Sequence, residues 1–104
     1  MYTLKFTESY REDVKSSVNY IKHNLQNPIA AQRLKNEIKE KYKKIKENPF
    51  IYPAVPDEYL ALKGYRFTIV KNYMIFFIVK EKQIEIIRFL YGSRDWMNIL
   101  GSGN

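Results

Sequence analysis

Apolar and polar residues alternate in YTLKF (2–6), and the segment opens on β-formers, so it predicts a short strand. The period then lengthens. Tyr10, Val14, Val18, Ile21 and Leu25 recur at spacings of three and four, one apolar stripe of a helix over 8–24. Thr7 suits the N-cap of that helix, and Glu8 places an acid in its first turn. Asn27-Pro28 ends it and starts another: Asn27 caps, and Pro28 fits the first helical position, where its missing N–H costs nothing. The second stripe is Ile29 or Ala30, then Leu34, Ile38, Tyr42 and Ile45. Pro49 disfavours helical geometry in the residue before it, so this helix stops near Asn48. A connection this short makes the two helices antiparallel neighbours.

Residues 49–64 hold Pro49, Pro53, Pro56 and Gly64 and read as a loop crossing between layers. Sheet follows. YRFTIVK (65–71) is one strand and Lys71-Asn72 a tight turn. YMIFFIVK (73–80) is apolar on both faces, as a central strand covered on both sides would be. Glu81-Lys82 turns again into QIEIIRFLY (83–91). Gly92 breaks that strand. SRDWMNIL (93–100) reads as a short C-terminal helix, packed back through Trp96 and Ile99 or Leu100, and GSGN (101–104) as a flexible tail. The whole is α+β: a small antiparallel sheet built from an N-terminal strand, a helical hairpin and a three-strand meander, closed by a short C-terminal helix.

Composition narrows the chemistry. A chain of 104 residues, 45% apolar, is expected to form one domain with a modest core. Without cysteine there are no disulfides and no thiol catalysis, and a reducing cytoplasm suits the chain. One histidine leaves a zinc site almost wholly to carboxylates, so no metal is expected. The apolar run YMIFFIV (73–79) is far shorter than the roughly 20 residues that span a bilayer, so no membrane role is expected. The net charge of +7 favours phosphate-rich or acidic partners. From Arg33 to Lys46 the second helix carries seven cations against two glutamates, either a solvated face or a phosphate-tracking one. No aromatic interleaves there to stack a base.

The candidate chemistry is basic. Strict alternation puts Ile86, Arg88 and Leu90 on one face of the last strand and Ile87, Phe89 and Tyr91 on the other. If that face is covered, Arg88 needs a partner, with Asp95 and Glu85 available, or it holds a phosphate or carboxylate. Lys63, Arg66, Arg88 and Arg94 are expected to converge at one end of the sheet, where arginine forks suit phosphate oxygens. Tyr91 at the strand's end is either a base-stacking or weakly acidic group, or a core tyrosine with a wet hydroxyl. His23, late in the first helix, reads as a surface or capping residue.

Together the short strand, the helical hairpin, GYRFTIVKNYMIFFIVK (64–80) and IEIIRFLYGSRDW (84–96) resemble the RelE/ParE superfamily of toxins from type II toxin–antitoxin systems, plasmid stabilisation proteins among them. The resemblance spans 2–100 and implies one toxin domain over 1–100. Its most specific parts are G-Y-R before a hairpin, N-Y at the hairpin turn and the closing R-x-L-Y-G-x-R-D-W. It implies a growth-arresting bacterial protein neutralised by a cognate antitoxin that is acidic at the contact, with Arg88 and Arg94 binding it. RelE-like members cleave mRNA on the ribosome without metal or cofactor. That activity implies Arg66, Tyr91 and Arg94 as catalytic groups and Lys63, Arg66 and Arg88 as phosphate contacts. ParE-like members inhibit DNA gyrase and have no nuclease chemistry. Many nucleases carry arginine directly after the tyrosine of the second hairpin strand, and here that position is Met74. The mRNA endoribonuclease is the first expectation; a gyrase inhibitor, or a decayed toxin that only binds its antitoxin, is the alternative.

Overall fold

Local chemistry sets most element ends in the computed structural model, which describes residues 2–101. Strand β1 (Thr3–Phe6) runs into helix α1 (Glu8–Asn19) across Thr7, whose side-chain oxygen accepts from the Tyr10 N–H at 3.0 Å. A π-helical turn, Tyr20–Asn24, closes α1 with Leu25 N–H donating to the Tyr20 carbonyl at 3.1 Å. That wider turn rotates Leu25 off the apolar stripe, leaving it 56% exposed. Gln26 then reverses the chain at φ 48°. Helix α2 (Pro28–Glu47) starts on the Asn27 cap with Pro28 in its first turn. Its buried stripe is Ala31, Leu34, Ile38 and Ile45; Ile29 lies outside it, 65% exposed.

Residues 49–64 are more structured than a loop. Pro49–Ile51 forms a 3₁₀ turn, and α3 (Glu58–Leu62) starts where Asp57 Oδ2 accepts from Leu60 N–H at 3.0 Å. Gly64 ends α3 at φ 97°, a geometry glycine adopts without strain. Elements of three and five residues are too short to show a period, so the sequence gives only the cap and the glycine. Between them, Ala54 bridges to Arg66 and Phe67 N–H donates to the Pro53 carbonyl at 3.2 Å, covering part of an otherwise open sheet edge.

Strands β2 (Arg66–Val70), β3 (Tyr73–Lys80) and β4 (Gln83–Tyr91) form the expected meander, and the sheet order is β1-β4-β3-β2. Both hairpins turn on a residue in the left-handed region, Lys71 at φ 56° and Glu81 at φ 57°. The α+β architecture is as read from the sequence, with one difference of direction: β1 pairs parallel to β4, so the sheet is mixed. A parallel neighbour needs a crossover of a dozen residues or more, and the helical hairpin begins one.

Two apolar clusters sandwich the sheet. On one face, α1 and α2 bury Tyr10, Val18, Leu34, Ile38 and Ile45 against Ile75, Phe77, Ile84, Ile86 and Phe89. On the other, Val55, Leu60, Tyr65 and Leu100 pack on Phe76, Ile87 and Leu90. Helix α4 (Trp96–Gly101) supplies Leu100 and lays Trp96 against Phe76, ring centroids 5.6 Å apart. It begins at Trp96 rather than Ser93, because Arg94 N–H closes a turn onto the Tyr91 carbonyl at 2.9 Å. Gly101 completes the helix; the rest of the expected tail, 102–104, lies outside the described residues.

Strict alternation fails in β4. Phe76 pairs with Arg88, but Phe77 pairs with Ile86, so Ile87 is an extra residue. The bulge reverses the parity beyond it. Ile86 and Phe89 belong to the helix-hairpin cluster and Ile87 and Leu90 to the opposite one, so the faces expected from a period of two are corrected.

Candidate functional site

Arg88 lies past the last residue of β4 that β1 covers, Ile86, and its side chain meets α1 there: Arg88 Nε donates to Asp13 Oδ2 at 2.7 Å and Nη2 to Oδ1 at 2.9 Å. Asp13 Oδ2 also accepts the Phe89 N–H at 3.0 Å. The hydrogen bond to the carboxylate raises the Arg88 pKa above its ordinary value, against the smaller opposing effect of burial. The partner is thus Asp13, not Asp95 or Glu85. Thr7 holds the same corner: its hydroxyl donates to the Ile87 carbonyl at 2.7 Å and its N–H to the Ile86 carbonyl at 3.1 Å.

Beside this pair, α1, the start of α2 and the β2–β3 turn enclose an open cleft of about 780 Å³. Its floor is apolar, with Ile21, Leu34 and Phe89; its rim carries Tyr20, Lys71, Tyr91 and Arg94. Tyr73 stacks on Phe89 at 4.6 Å between centroids and meets Tyr91 edge-on at 5.4 Å. Tyr91 is 46% exposed. Gly92 N–H donates to the Asn72 carbonyl at 2.7 Å, fixing the strand end to the hairpin turn.

Of the four residues expected to converge, Arg88 and Arg94 share this cleft, and Tyr91 lines it with them. Arg66 and Lys63 do not. Arg66 pairs with Phe77, whereas Tyr91 pairs with Tyr73 at the other end of β3. Four residues along the strands and two strands across place their backbones about 16 Å apart. Arg66 Nη1 donates to the Tyr52 carbonyl at 2.6 Å, and the guanidinium lies 5.0 Å from the centroid of Phe50. Lys63 caps α3 and lies 4.7 Å from the Tyr59 centroid. The single converging cluster is corrected: register, not sequence order, sets who meets. Met74 packs in the cluster on the far face of the sheet from the cleft. His23 is exposed in the π turn. Asp13 carries much of the site and was not legible in the sequence, since nothing local ties it to a strand 75 residues on; Tyr73 was legible only as the tyrosine of the N-Y hairpin motif. Among the described residues no cluster of three or more acids or histidines is placed to hold a metal ion. No helix there is long and apolar enough to cross a membrane.

A sequence profile of the family described as ParE toxin of type II toxin–antitoxin system, parDE, matches residues 4–96. None of the curated proteins matches the chain by sequence. Among solved structures, the fold is similar to the chromosomal ParDE TA system from P. aeruginosa, at 24% identity and TM-score 0.71, covering 88% of this chain and 96% of that one. It is also similar to the YoeB-YefM complex from Staphylococcus aureus, at 18% identity and TM-score 0.60, with 88% and 97% covered. YafQ from E. coli strain BL21(DE3) shares the fold at 14% identity and TM-score 0.55, with 88% and 93% covered.

Proposed function

The chain belongs to the ParE toxin family of type II toxin–antitoxin systems, within the RelE/ParE superfamily, and on that premise we propose that it acts by binding DNA gyrase, without nuclease chemistry. One observation carries this reading: the basic groups a ribonuclease would bring to one phosphate are spoken for and apart. Arg88 gives two donors to Asp13; Arg66 donates to the Tyr52 carbonyl, and its backbone lies about 16 Å from that of Tyr91. General acid–base and oxyanion chemistry needs its groups within about 3 Å of the reacting atoms. Arg66 and Tyr91 both sit on paired strands of one sheet.

The cleft suits a protein segment instead. An apolar floor rimmed by Tyr91, Arg94 and Lys71 fits an amphipathic acidic partner, as the cognate antitoxin would supply. Arg94 is exposed and takes the charge contact; Arg88 shapes the wall from its ion pair with Asp13.

Two assays on one purified preparation test this. Gyrase supercoiling should fall as toxin is added, and a purified bacterial translation system should leave mRNA intact by primer extension. Ribosome-dependent cuts, lost in Arg66→Ala or Tyr91→Phe variants that still fold, would replace this reading with the nuclease.

A further inference from the structure

The cleft leaves the outer side of the helical hairpin unused. On α2, Lys35, Lys39 and Lys43 recur at i, i+4 and i+8, one row with steps of about 6 Å. The opposite flank of α2, with Glu37, Lys41 and Lys44, borders Ile69–Lys71 of the sheet. Lys35 and Lys39 therefore lie toward α1, and Lys43, paired with Glu40 of that opposite flank, stands on the outer face of α2. Across the seam, Arg11 lines a shallow groove with Val14 and Tyr42, which places its flank of α1 against α2. Lys15 continues that flank at helical spacing, and Lys22 follows in the π turn. All six cations are exposed.

Little neutralises them. Among the described residues, Lys43 alone of the six has an ion pair, with Glu40 at 3.4 Å on the surface. The acids of α1 are Glu8, Glu12 and Asp13, the last committed to Arg88, and on α2 Glu40 and Glu47 flank Lys43 but neither Lys35 nor Lys39 is ion-paired among the described residues. Like charges at i, i+4 destabilise a helix, so the lysine row works against α2 unless an anion covers it. The amides on that flank, Gln32 and Asn36, hydrogen-bond each other at 3.1 Å.

We propose that this seam binds the phosphate backbone of duplex DNA, without sequence readout. Lysines are point-charge phosphate contacts, in contrast to the arginine forks that read base edges. The seam carries no exposed aromatic between its lysines, so it suits a duplex rather than a stacked single strand. The choice of DNA rests on the gyrase reading, since DNA is that enzyme's substrate; the anion binding rests on the seam alone.

Fluorescence anisotropy of a labelled 20-base-pair duplex, without gyrase, tests it. About four phosphate contacts predict a slope of log K against log salt near −4. Lys35→Glu/Lys39→Glu/Lys43→Glu should weaken binding at least about tenfold, and the glutamine triple should weaken it less. Lys5→Glu/Lys80→Glu/Lys82→Glu, with the same change of net charge elsewhere, should bind as the parent does. Equal loss in both triples would overturn the seam as a site and leave only net charge. No salt-dependent binding, or displacement by poly-glutamate at a lower charge concentration than by unlabelled duplex, would also overturn it. A supercoiling assay on the same variants separates the readings: DNA binding without gyrase inhibition keeps the seam and removes the target, and the reverse result does the opposite.

Discussion

Arg88 and Asp13 stand 75 residues apart in sequence, and their side chains are only 14% and 15% exposed. Removing one partner of such a pair strands the other charge, and Asp13→Ala also leaves the Phe89 N–H without its acceptor. Asp13→Ala should therefore cost about 3 kcal/mol in urea unfolding. Asp13→Leu/Arg88→Met should recover much of that, because neither charge remains to be stranded. A double change that costs the sum of the singles would show that the pair does not couple. A second residue-scale device is the hydroxyl pair Tyr10–Tyr42, 2.6 Å apart. Burial, then the neighbouring Tyr42, raises the Tyr10 pKa far above the ordinary 10.0, and burial raises Tyr42 as well. With both folded-state values raised, the unfolded chain loses protons first as pH climbs. The stability from these groups is complete below about pH 10 and declines above it. Thermal unfolding followed from pH 8 to 11 should show the fall, and Tyr42→Phe should make it shallower.

At the scale of elements, Thr7 does two jobs that the sequence divides between distant segments. It caps α1 and ties it to the bulge of β4, so Thr7→Ala should cost about 2 kcal/mol, at the upper end of N-cap losses. Thr7→Ser, which keeps the oxygen, should recover most of this in the same unfolding measurement. A Thr7→Ala variant as stable as its parent would remove the tie. The cap itself was legible: Thr7, Asn27 and Pro28 announce helix starts because capping is a local matter of three or four residues. So were both amphipathic helices, by their periods, and all four strands, by alternation or by a short run of apolar residues between turns. The bulge at Ile87 was not, because all residues of IIRFL suit a strand and the slip of one residue is chosen by what β3 and α1 accept. The faces of Arg88, Phe89 and Leu90 depended on that slip.

Across the whole molecule, two thin layers share one sheet. Trp96 and Leu100 of α4, with Leu60 and Val55, cover a face that otherwise presents Phe76, Ile87 and Leu90. A chain ending at Asp95 should lose cooperative unfolding or aggregate, seen by light scattering and dye binding, because it exposes that contiguous apolar surface. If it stays monomeric with an unchanged midpoint, α4 is not part of the core. The sequence by itself determined the α+β class, the order of the four strands and the helical hairpin, the central β3 and the family motifs, since each depends on periods and caps within one segment. Tertiary structure alone decided that β1 runs parallel to β4, that Asp13 takes Arg88, and that the backbones of Arg66 and Tyr91 stay about 16 Å apart. The physical reason is the same in each case: strand register and charge pairing are settled between segments, by the packing of both faces of the sheet.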